Sequence, residues 1–79
     1  MFPAQGIPLH TPLDAIVTSE FACRRRNGTY VIVPPGPCQV EQGEHFAAIC
    51  WERRNGQNRA QVSLGALRDY FEHGKLALR

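Results

Sequence analysis

This sequence has no Cys-x-x-Cys pair, no His-x-x-x-His pair and no glycine-rich phosphate loop. Zinc motifs draw their specificity from short ligand spacing. The nearest trio of ligand types here, Cys38, His45 and Cys50, is separated by six and four residues, so no metal is expected. Gly36 lies inside Pro34-Pro35-Gly36-Pro37, which excludes a phosphate-cradling role of the usual kind. Nucleophilic catalysis needs a Cys or Ser with a base in hydrogen-bond reach, and nothing local marks such a pair. Glu41 and Glu44 share an acidic stretch that reads as a solvated loop. A chain of 79 residues also has little room for a walled pocket, where catalytic groups acquire shifted pKa values. The expectation is a protein that is not an enzyme, with no cofactor and no small-molecule substrate.

Long apolar runs are missing as well. The opening residues, Met1-Phe2-Pro3-Ala4-Gln5-Gly6, have neither a basic region nor a hydrophobic stretch, so no secretory leader, membrane helix or membrane partner is expected. The three cysteines, Cys23, Cys38 and Cys50, are odd in number and irregularly spaced, a poor disulfide framework. These features predict a reducing, cytoplasmic setting. A Cys23–Cys50 bridge stays open as an alternative, because both residues fall on strands leading into similar turns. Lysine is nearly absent: Lys75 stands against eight arginines. The arginine fork suits phosphate, carboxylate and aromatic faces. A net charge of +2 is too mild to imply nucleic acid by itself, so the placement of the arginines matters more than their sum.

The most informative feature present is a repeated tetrapeptide. Arg25-Arg26-Asn27-Gly28 and Arg53-Arg54-Asn55-Gly56 each sit between runs that suit strands. Asn-Gly is the strongest short-range hairpin signal, because both central positions of a type I′ turn need φ > 0. Two β-hairpins are therefore predicted, each with an arginine pair beside its tip. Two copies fall short of a repeat architecture, which needs three or more units to bury a continuous core.

Residues 1–13 hold Pro3, Pro8 and Pro12 with Gly6 and read as an extended arm, followed by a single α+β domain over 14–79. The first hairpin is predicted over Asp14–Val33. A two-residue turn at Asn27-Gly28 sets Arg24 opposite Val31 and Cys23 opposite Ile32. The proline run stops that strand, and residues 38–43 read as a loop with at most a short edge strand. In the second hairpin, Asn55-Gly56 sets Glu52 opposite Arg59, Trp51 opposite Ala60 and Ile49 opposite Val62. Alternation then places Ala47, Ile49, Trp51, Ala60, Val62 and Leu64 on one apolar face, with a Glu52–Arg59 ion pair on the other. Ser63 has the chemistry of a helix N-cap. Leu64, Leu67, Tyr70 and Phe71 recur at helical spacing up to His73, and Gly74 suits the C′ position. Leu76 and Leu78 alternate as a last short strand would.

The fold class that follows is α+β: a small antiparallel sheet of three to five strands from two hairpins, packed on one C-terminal helix. The predicted core is Ile16, Phe21, Ile32, Phe46, Ile49, Trp51, Val62, Leu64, Leu67 and Phe71. Candidate contact residues are Arg24, Arg25, Arg26, Arg53 and Arg54 at the tips, with Tyr30 able to stack a base or pack under an arginine stem. Two functions fit. In the first, a small accessory protein contacts nucleic acid through both tips, since phosphate contacts supply most non-specific affinity. In the second, a protein–protein interaction module docks a partner and forms a homodimer, using sheet edges that can add a strand from another chain. Inhibitors and adaptors of phages and mobile elements are commonly of this length.

Overall fold

In the computed structural model, which describes residues 10–24, 27–54 and 56–79, strand alternation and helix capping dominate the architecture. The described residues form β1 (Leu13–Val17), β2 (Phe21–Arg24), β3 (Tyr30–Val33), β4 (Gly36–Gln42), β5 (Phe46–Arg53), β6 (Gly56–Ser63), α1 (Leu64–Glu72) and β7 (Leu76–Leu78). A five-stranded antiparallel sheet runs in the order β6-β5-β4-β1-β7, and β2-β3 form a separate two-stranded sheet. One face of the larger sheet carries Ala15, Val17, Cys38, Val40, Ala47, Ile49, Trp51, Ala60 and Val62, all buried. Helix α1 packs on β5, β6 and β7, and β2 reaches β6. The core is thus closed by Leu67 of the helix and by Phe21, Cys23 and Val33 of the hairpin. This is the α+β fold that the alternation and the helical spacing imply.

The helix follows its sequence signals closely. Ser63 is the N-cap, and its hydroxyl accepts from the Ala66 amide at 3.1 Å. At the other end His73 is the C-cap and Gly74 takes φ +72°. The Lys75 amide donates to the Tyr70 carbonyl at 2.8 Å and the Gly74 amide to the Phe71 carbonyl at 3.2 Å. These are the paired bonds of a Schellman ending, which satisfy carbonyls the helix leaves orphaned.

Both hairpins exist, in registers other than those the Asn-Gly signal implies. In β5–β6 the last pair is Arg53 opposite Gly56, with Glu52 opposite Gln57 and Cys50 opposite Arg59. The positive φ of Gly56, 110°, therefore falls on the first residue of the return strand. The register differs by two residues, which leaves every side chain on its expected face but separates Glu52 from Arg59, so the expected cross-strand ion pair does not arise. Asn55 lies outside the described residues.

In β2–β3 the difference is one residue. Cys23 stands opposite Val31 and Arg24 opposite Tyr30, leaving five positions between the strands. Asn27 serves this longer loop through its side chain, whose Oδ1 accepts from the Thr29 amide at 3.1 Å and the Thr29 hydroxyl at 2.7 Å. That is the Asx-type behaviour that competes with a two-residue turn, and Gly28 supplies the positive φ, 91°. A single-residue slip exchanges faces. Val33 is buried and Val31 half-buried, while Ile32 is 50% exposed.

Four further expectations need correction. β1 belongs to the large sheet, between β4 and β7, not to the first hairpin. Its end is held by the Thr18 amide donating to the Lys75 carbonyl at 2.9 Å. Leu13, assigned to the arm, is already its first residue and pairs with Val40. The segment after the proline run is an inner strand, not a loop. Pro37, which has no amide to donate, is tolerated because β5 joins β4 only from Gln39 onward. In the core, Ile16 (38% exposed) and Phe46 (41%) join Ile32 on the outside, because Ala15, Val17 and Ala47 occupy the inward phase of those strands. Leu64 and Phe71 are partly buried against the core.

Candidate functional site

Arg24 ends β2 and is exposed, as are Arg53 and Arg54 at the far end of β5. Arg25 and Arg26 lie outside the described residues. Arg24 borders a hollow with Phe46, Gln61, Ser63 and Tyr70, whereas Arg53 and Arg54 border one with Pro34 and Glu52. Phe46 and Arg53 are the two ends of β5, about 23 Å apart at the usual rise per residue of an extended strand. The structure therefore places Arg24 and the Arg53–Arg54 pair near opposite ends of one strand and does not bring them together, while Arg59 lies between them, opposite Cys50.

What it does bring together is Arg24 and Tyr30. They are cross-strand partners, and the next outward-facing pair is Ala22 with Ile32. Tyr30 is 67% exposed, the most exposed of the large apolar side chains among the described residues, and Ile32 follows it on the same side. β3 has β2 on one edge and, among the described residues, no strand on the other. The outer side of this hairpin is thus a small aromatic and aliphatic surface with one guanidinium beside it. Ile32 was missed as a surface residue because Tyr-Val-Ile-Val is apolar at every position, so alternation alone does not say which phase faces the core.

The inner side of the hairpin is anchored. The Phe21 ring lies 4.2 Å from the Tyr70 ring, tilted by 32°. Burial, and then the neighbouring Cys23 and Asp69, push the Tyr70 hydroxyl up to about 12. On β4, burial followed by the proximity of Cys50 raises the Cys38 thiol to about 11, so it stays protonated near neutral pH and is a poor nucleophile there. Cys23, Cys38 and Cys50 carry thiols and form no disulfide, so the Cys23–Cys50 alternative is not adopted. Cys50 is half-buried on the sheet face opposite the helix.

A hollow of about 350 Å³ opens where β4 and β5 part, lined by Asp14, Pro34, Gln39, Cys50, Glu52 and Gln57 among others. It offers carboxylates and amides, and none of the described histidines borders it. Among the described residues no group of three His, Cys, Asp or Glu side chains is placed to hold a metal ion. No helix of the described residues is long and apolar enough to cross a membrane. Comparison of the chain with protein-family models, curated proteins and solved structures found no match.

Proposed function

We propose that this chain is a non-enzymatic binding module that engages a protein chain through the outer side of the β2–β3 hairpin. The observation that carries this reading is the exposure of Tyr30 and Ile32 on a strand with one edge unpaired among the described residues. Tyr and Arg are the residue types that most often supply binding energy at protein interfaces, and Arg24 lies directly opposite Tyr30. An open strand edge adds main-chain hydrogen bonds to whatever the side chains contribute. The test uses the tagged chain as bait beside the same chain carrying Tyr30→Ala and Ile32→Ser. A protein retained by the first and released by the second supports the reading. Identical retention by both baits, or none by either, removes it.

The Arg24–Tyr30 pair also favours a second reading, contact with a nucleic acid, in which Tyr30 stacks a base and Arg24 meets a phosphate. Binding of labelled single-stranded and duplex DNA and RNA at low and moderate salt tests it. Affinity that falls steeply with salt and weakens in Arg24→Ala supports nucleic acid. No binding at low salt excludes it.

A further inference from the structure

We propose that the β3 edge, which has no strand on it among the described residues, is occupied by a second copy of this chain, paired antiparallel through β3 with Val31 on the two-fold axis. This rests on the reading of the hairpin as a protein-binding surface and names its partner. Natural edge strands usually carry a lysine, an inward charge or a proline that discourages pairing. Tyr30-Val31-Ile32-Val33 carries none of these, and Pro34 comes only after the strand ends. An uncharged strand pairs with itself without setting like charges opposite one another, which is the first requirement of an isologous contact.

Register narrows the geometry further. The two-fold axis of an antiparallel pair keeps outward residues opposite outward residues, so only registers differing by two residues are allowed. Centring on Val31 sets Tyr30 opposite Ile32 of the partner subunit, and Ile32 opposite the partner subunit's Tyr30. Aromatic and β-branched side chains are a favourable cross-strand combination. This register matches the two exposed apolar side chains of the hairpin to each other. Centring on Ile32 would instead set Tyr30 opposite Pro34 of the partner subunit. In the Val31-centred register the half-buried Val31 lies against its own copy on the inner side. The product is a four-stranded sheet, β2-β3 of one subunit continuing into β3-β2 of the next, with Arg24 one strand removed from the axis.

Sedimentation equilibrium across the micromolar range, combined with a charge exchange, tests the pairing. The wild-type chain is expected near twice 8.9 kDa. A chain with Tyr30→Lys and Ile32→Lys, and one with Tyr30→Glu and Ile32→Glu, each set like charges opposite one another and are expected near 8.9 kDa. An equimolar mixture of the two is expected to recover the doubled mass. A wild-type monomer that still captures a different protein through Tyr30 and Ile32 overturns the self-pairing and leaves the hairpin as a docking surface. A wild-type monomer that captures nothing overturns both. A dimer that survives in both charge variants places the interface elsewhere and also overturns the proposal.

Discussion

The ring of Phe21 rests 4.2 Å from that of Tyr70, and this contact joins the β2–β3 hairpin to the helix. Two strands of four residues each are marginal as an isolated hairpin in water. The hairpin therefore depends on burying Phe21, Cys23 and Val33 against the rest of the core. Its outer residues can remain exposed because the inner ones hold it in place.

Phe21→Ala should remove that anchor. A buried Phe truncated to Ala typically costs about 3–5 kcal/mol, the lost transfer energy plus the cavity left behind. Urea denaturation is expected to show a loss in that range, with a weakened near-ultraviolet dichroism signal from Tyr70. If stability is unchanged, the hairpin is held by something other than this contact.

Trp51 is buried, and its indole Nε1 is enclosed with no acceptor among the described residues. Trp51→Ala is expected to cost about 3–5 kcal/mol. Trp51→Phe should cost far less. It keeps most of the apolar volume and removes a buried unsatisfied donor whose burial costs about 1–3 kcal/mol. Equal losses in both variants, measured by the same urea titration, would mean that the Nε1 group is satisfied in solution.

The helix caps offer separable tests. Ser63→Ala removes the oxygen that accepts from Ala66 and should cost about 1 kcal/mol. At Gly74, φ is +72° and a Cβ would meet nothing within 4 Å. Gly74→Ala should therefore cost about 1–2 kcal/mol from backbone strain alone. Thermal melts of the two single variants and the double should show near-additive losses, since the sites lie at opposite ends of the helix.

Alkaline pH should destabilise the fold in two overlapping steps. Cys38 is raised from 9.0 to about 11 and Tyr70 from 10.0 to about 12. A raised pKa means that the folded state holds its proton more tightly than the unfolded chain. The corresponding stability is fully present below the unfolded value and is lost as pH climbs through the folded one. Denaturation midpoints should hold steady up to pH 9, fall between 9 and 11, and fall again towards 12. Tyr70→Phe should flatten the later part of this decline. A wild-type profile that stays level above pH 10 would contradict the burial of both groups.

Local chemistry was enough to establish several elements. Ser63, Gly74 and the apolar spacing between them define α1 almost to the residue, because capping and helical periodicity act within a few positions of one another. The apolar face of β5 and β6 was equally legible. Ala47, Ile49, Trp51, Ala60 and Val62 alternate with polar or small neighbours, and an error of two residues in register does not move them. Both reversals were visible in the Asn-Gly pairs. The fold class followed from these parts.

Tertiary structure alone decided the rest. β1 and β4 pair across the eighteen residues between Val17 and Gly36, a contact that leaves no mark on nearby sequence. The phase of β3 depends on how many residues its loop uses. The strand is apolar throughout, so packing of Val33 into the core, rather than any pattern in the chain, sends Tyr30 and Ile32 outward. The separation of the arginine groups likewise depends on which strands become neighbours. Short-range forces set turns, caps and alternation from sequence. Which phase is buried, and which side chains meet on the surface, is settled only when distant segments compete for one core.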